Sequence, residues 1–171
     1  MTGLLRHTAV RSLPLLFVLV MASPAAAGIL GVGQQATELD VAQDEAGKSF
    51  KLKQVSGWRV VTIGADWCKP CHKELKAWDK LAGTQKKATF ITIAIDDDVK
   101  DGKRLHDDLK IKNMKRVYMP ADKSAVAGSY GADKMPTTFV IDPDGKVRHV
   151  HKGYDPGDET KLEQELKKLI K

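Results

Sequence analysis

Short apolar blocks alternate with polar, charged stretches along this chain, and their spacing predicts its elements one by one. Arg59 to Gly64 and Ala88 to Asp96 are compact β-branched runs of the kind that form buried central strands. Thr137 to Asp142 is a third such run. It ends in Asp142-Pro143-Asp144-Gly145, where proline presets φ and glycine accepts a positive one, so Lys146 to Val150 is expected to return as the second arm of a hairpin. Ser49 to Lys53 alternates polar and apolar residues and predicts a half-buried strand. Arg116 to Met119 predicts a short strand, and the weakly patterned stretch from Gly28 to Gly47 holds one more.

Between these runs the apolar period lengthens. Leu75, Trp78, Leu81 and Ala82 share one helical face, with Gly83 expected as the stop. A weaker helix is expected over Val99 to Leu109 and a short one over Ser124 to Tyr130. The end is an amphipathic helix capped near Asp158, with Leu162, Leu166, Leu169 and Ile170 on its apolar face. Strand–helix alternation predicts parallel strands in the first half, and the hairpin adds antiparallel ones, so an α/β fold with a mixed sheet is expected.

The first 27 residues read differently. Arg6 and Arg11 precede an apolar run from Leu13 to Met21, and Ala25-Ala26-Ala27 offers small residues for cleavage. This is the pattern of an export signal over residues 1–27, followed by one domain over residues 28–171. An uncleaved signal acting as a membrane anchor is the alternative. Loss of Arg6 and Arg11 lowers the formal charge from +6 to +4. The remaining charges are mixed in sign along the chain, which argues against a nucleic-acid footprint. Lys110, Lys112, Lys115 and Arg116 read as a solvated face, with contact to an acidic partner as the alternative, and Asp96-Asp97-Asp98 as a solvated strand end without the spaced ligands of a calcium loop.

The only two cysteines are Cys68 and Cys71. A disulfide between them would close almost no loop and so staple almost nothing. In an exported protein that favours reactivity over architecture. The pair sits where a strand hands over to a helix, and unpaired N–H groups, the helix dipole and Lys69 there all favour a thiolate. Cys68 is expected to attack a partner disulfide and Cys71 to resolve the mixed disulfide. Pro70 suits the first turn, which needs no N–H. A structural zinc site would want four ligands and finds one pair with His72 beside it, so no metal and no cofactor are expected; Cu(I) held by the two thiolates is the metal alternative.

Trp67-Cys68-Lys69-Pro70-Cys71-His72-Lys73-Glu74, together with Met135-Pro136-Thr137-Thr138-Phe139 before a strand, resembles the thioredoxin superfamily. Within it the chain is most similar to the exported TlpA/ResA-like branch. The resemblance runs from about Gly33 to Lys171. It implies a thioredoxin-like fold, with a central mixed sheet flanked by helices on both faces. It implies that Pro136 is a cis-proline facing the cysteines, that Met135 lends backbone to a bound partner, that Trp67 shields the site, and that Glu74 tunes the cysteines or moves protons. The sequence departs from cytoplasmic thioredoxins at Thr62, where those carry a buried aspartate, and at Lys76, where they carry a helix proline. Alanine at position 65 breaks the Pro-x-x-x-Thr-x-x-Cys pattern of peroxiredoxins. The function implied is a periplasmic or otherwise extracytoplasmic reductase, fed by a membrane electron donor and acting on exported proteins with cysteines, such as apocytochrome c or copper-centre proteins. A disulfide-donating oxidase and a Cu(I) chaperone are the alternatives, no nucleic-acid partner is implied, and the chain is expected to act as a monomer.

Overall fold

A computed structural model describes residues 29–39, 41–120 and 126–171. The export segment, residues 1–27, lies outside the described residues, as do Ser124 and Ala125 of the short expected helix. The elements are β1 (Gln43–Asp44), β2 (Trp58–Gly64), α1 (Lys69–Thr84), β3 (Ala88–Ala94), α2 (Val99–Asp108), β4 (Lys115–Tyr118), α3 (Val126–Ser129), β5 (Thr137–Ile141), β6 (Val147–Lys152) and α4 (Asp158–Leu169). No helix among the described residues is long and apolar enough to cross a membrane.

The strands form one sheet in the order β1-β4-β3-β2-β5-β6. β2, β3 and β4 run parallel, β5 and β6 are antiparallel to their neighbours, and β1 closes the far edge antiparallel to β4. Because side chains alternate across a strand, the central strands feed two cores. Val60, Phe90 and Val140 point to the side covered by α1, α2 and α4, where they meet Leu75, Trp78, Leu105, Leu162 and Leu166. Val61, Ile63, Ile91, Ile93, Phe139 and Ile141 point to the other side, which is covered by α3 and the segment around Leu39, Leu52 and Val55. Both faces carry helix, unequally.

The face beneath α1 and α2 is not wholly apolar. Thr92, Thr62 and Thr138 lie side by side across β3, β2 and β5, since Thr62 is in register with both of the others. All three are fully buried. The helices above supply their partners: His106 Nε2 lies 3.1 Å from Thr92 Oγ1, and Trp78 Nε1 donates to Thr138 Oγ1 at 2.9 Å. Trp78 is fully buried and meets the rings of His151 and Tyr154 edge-on. Trp78→Ala is therefore expected to lower unfolding stability by about 3–5 kcal/mol in urea titration, since a large cavity opens.

Three sequence expectations are corrected. Ser49–Lys53 is not a strand, because a 3₁₀ turn over Leu52–Gln54 takes its place. The Glu38 carboxylate accepts the Leu52 and Lys53 N–H groups at 2.5 and 3.2 Å, so the amides a ladder would use are occupied. Gly83 does not stop its helix, which runs on to Thr84. A Cβ at Gly83 would come within 3.3 Å of the Asn113 side chain, so the residue is small for contact and not for termination. Asp96 is not solvated: it is 4% exposed, while Asp97 is open and Asp98 caps α2.

Candidate active site

β2 ends at Gly64, and the chain turns through Ala65, Asp66 and Trp67 into α1. Gly64 is needed bare, since a Cβ there would stand 3.1 Å from Leu75 Cδ1 and 3.6 Å from the Cys71 Cβ. This lets the start of α1 sit directly on the strand end. Cys68 is the N-cap residue of α1, Lys69 and Pro70 open its first turn, and Cys71 closes it. The two sulfurs are joined as a disulfide, with 5.3 Å between the Cα atoms. Cys71 is fully buried and Cys68 is 6% exposed, so a partner can reach only Cys68.

Side chains from three helices or strand ends hold the turn at Asp66. Its N–H donates to Asp96 Oδ1 at 2.9 Å, its carbonyl lies 2.7 Å from His72 Nε2, and its carboxylate pairs with Arg104 at 2.8 Å. The contact to a carbonyl requires the hydrogen of His72 to sit on Nε2. Neither Asp96 nor His72 was legible as a support, because both partners are the backbone of Asp66.

Met135 and Pro136 arrive from the far side. Their peptide bond is cis, and it leads directly into β5. Ala132, Asp133, Lys134 and Met135 face Trp67, Cys68, Lys69 and Pro70 across a cleft of about 430 Å³. Trp67 stands 66% exposed at its rim, so it flanks the cleft more than it covers the disulfide.

Glu74 lies one turn beyond Cys71 and is fully buried. Its Oε2 is 3.1 Å from Thr62 Oγ1, its Oε1 is 3.0 Å from Thr138 Oγ1, and the two hydroxyls are 2.7 Å apart. With the Trp78 N–H, that makes four contacts. Thr62, Thr138 and Trp78 bring three hydrogens, so an ionised Glu74 leaves one contact unmade. A protonated Glu74 supplies the fourth and closes the ring, with Thr138 accepting twice and donating once. Burial is the largest cause: it pushes the Glu74 carboxyl up to about 8, although each donor near the carboxylate taken singly favours the anion. The site thus holds a neutral carboxylic acid behind the disulfide.

The structure therefore gathers Trp67, Cys68, Lys69, Pro70 and Met135 around one cleft, while Cys71, Glu74 and Pro136 are buried. The missing residue is Thr138, the hub of the ring; its only sequence signal is a second threonine after Met135-Pro136. Among the described residues no group of three or more His, Cys, Asp or Glu side chains is placed to share a metal ion.

The chain is similar to several known proteins in sequence and fold. Residues 32–150 match the AhpC/TSA family. The thiol-disulfide oxidoreductase ResA of Bacillus thuringiensis subsp. konkukian is 32% identical over 145 residues, covering 81% of this chain and 78% of that protein. The thioredoxin domain of a thiol-disulfide oxidoreductase from Bacteroides vulgatus superposes with a TM-score of 0.69 at 23% identity, covering 83% of this chain and 99% of that one. A secreted Mycobacterium tuberculosis disulfide oxidoreductase, described as homologous to DsbE of E. coli, superposes with a TM-score of 0.62 at 16% identity, covering 78% and 96%. With a cysteine pair at disulfide distance on a thioredoxin-like fold, the chain belongs to the AhpC/TSA family and is a thiol–disulfide oxidoreductase.

Proposed function

We propose that the chain is an extracytoplasmic reductase of disulfides in exported proteins, of the kind that serves cytochrome c maturation or copper-centre assembly. The observation that carries the chemistry is the asymmetry of the pair: Cys68 opens on the cleft and Cys71 is sealed behind it. In the reduced protein the Cys68 thiolate attacks one sulfur of the partner disulfide and expels the other as a thiolate, which takes up a proton. Cys71, once deprotonated, attacks Cys68 Sγ and releases the partner's remaining thiol. Two electrons and two protons pass to the partner, and Cys68 and Cys71 are left as the disulfide. A dithiol donor at the membrane restores the pair.

The other residues have roles that fit this cycle. The helix N-terminus and Lys69 stabilise the Cys68 thiolate, and Pro70 gives up no hydrogen bond where it stands. Glu74, held protonated, returns a proton to Cys71 when the pair is reduced again, and its carboxylate form accepts the proton that Cys71 gives up. Met135 offers backbone to the partner's chain, Pro136 fixes that loop, and Trp67 gives the cleft an apolar wall. The basic, apolar and small-residue pattern of residues 1–27 supports export, and the ResA likeness supports thiol–disulfide exchange.

A disulfide-donating oxidase is the second reading. What favours it is the same placement of Cys68 at a helix N-cap beside Lys69, since stabilising the reduced thiolate makes a pair more oxidising. A reduction potential measured against glutathione separates the two. A value of about −230 mV or lower, with the pair alkylated mostly as dithiol in its native compartment, is expected. A value near about −120 mV, with the pair mostly oxidised there, would overturn the reductase reading.

A further inference from the structure

Helix α4 and part of α2 answer their own charges. On α4, Lys161 pairs with Asp158, Lys167 with Glu163 and Lys168 with Glu165, at 2.7, 2.8 and 3.2 Å. On α2, Arg104 joins Asp66 and Asp101, each at 2.8 Å. Helix α1 breaks the pattern. Beyond Pro70 its exposed positions are Lys73, Lys76, Lys80 and, at its last residue, Thr84, and the three lysines lie in line with the exposed Lys69. The spacing of four, three and four residues puts them on one stripe, which starts beside Cys68 and runs for roughly 16 Å.

The acids of α1 do not answer this stripe. Glu74 is turned into the sheet, and the Asp79 carboxylate accepts the Lys112 and Asn113 N–H groups and the Asn113 side-chain amide. At the far end Lys80 shares a shallow cleft with Glu159 and Glu163 of α4. Lys69, Lys73 and Lys76 have no ion pair among the described residues, and neither has Lys134 across the redox cleft. Asp133 is the carboxylate lining that cleft. Lysines one turn apart stand well within the screening length of about 8 Å at physiological salt, so they act on an approaching partner as one patch.

We infer that Lys69, Lys73 and Lys76 form a docking surface for an acidic face of the partner protein, so that disulfides flanked by Asp and Glu are the preferred substrates. The inference rests on the reductase reading and names its substrate class. The occupant is a protein because the stripe begins at the one sulfur a partner can reach. A chain whose cysteine meets Cys68 and which continues along α1 passes over the lysines in turn. Complementary charge of this kind raises encounter rates by about 10–10³-fold and weakens with salt.

The test uses the full folded domain, recycled by dithiothreitol, and three oxidised substrates. Two are peptide disulfides identical except for an acidic or a basic flank, and the third is a small uncharged disulfide. The acidic peptide is expected to be reduced about tenfold faster than the basic one at low ionic strength, with the ratio falling toward one as salt is added. In the Lys73→Glu/Lys76→Glu protein the ratio is expected to fall to one or below. Equal rates for the two peptides with the unmutated protein, or a ratio unmoved by the double substitution, would overturn the docking surface while turnover of the uncharged disulfide keeps the reductase reading. Failure to reduce any of the three would overturn both. Lysine-dependent binding to phosphatidylglycerol vesicles with equal peptide rates would assign the stripe to a membrane and also overturn the inference.

Discussion

The Cys71→Ser protein is expected to accumulate a covalent complex with its disulfide partner, joined through Cys68 and visible as a dithiothreitol-sensitive band on a non-reducing gel. The expectation follows from which sulfur is reachable. Cys68 lines the cleft, so the first displacement proceeds without Cys71. Serine cannot expel a sulfur from the mixed disulfide near neutral pH, so the second displacement stops and the intermediate persists. The reciprocal Cys68→Ser protein should form no such complex, and its exchange rate should fall by roughly three orders of magnitude or more, as when other nucleophiles are removed. Equal trapping by both variants would mean that either sulfur can meet the partner, contrary to the burial of Cys71.

Glu74 gives the second large effect, on stability. Its carboxyl stays protonated in the folded chain to about pH 8, against an ordinary value of 4.5. Between those values the folded state holds a proton that the unfolded state has released. Unfolding free energy therefore falls as pH rises through that window and levels off above it. The loss attributable to Glu74 is on the order of a few kcal/mol. Glu74→Gln removes the ionisation but keeps the ring, since an amide N–H can donate to Thr138 while its carbonyl accepts from Thr62. The variant is expected to lose most of this slope in urea titrations between pH 5 and 8. Parallel slopes for the two proteins would show that Glu74 does not hold the proton.

The parts of this chain that were legible in its sequence are those whose cause is local. The β-branched runs at Val60–Ile63 and Ile91–Ile93, the Pro143–Gly145 turn and the cysteine spacing each act over a few residues, and each stands as expected. What was hidden depends on partners far along the chain. Glu74 could have been an exposed helix charge; its burial becomes tolerable only because Thr62 and Thr138, 76 residues apart, are brought into register. Asp96 is buried because the N–H of Asp66, 30 residues earlier, needs an acceptor. Alternation at Ser49–Lys53 pointed to a strand, and the carboxylate of Glu38 diverted it. Periodicity carries no record of such long-range claims on a backbone amide.

The buried threonine row has one more consequence. An apolar sheet face is slippery: a helix displaced along it by one turn, 5.4 Å, can exchange one set of methyl contacts for another at modest cost. Here His106 of α2 and Glu74 and Trp78 of α1 must each land over a particular hydroxyl. A slip of either helix would strand buried donors and acceptors, at about 1–3 kcal/mol apiece. The row works as an indexing rail. It fixes where α1 begins relative to the strand ends, and with that the height at which Cys68 meets the loop of Met135 and Pro136.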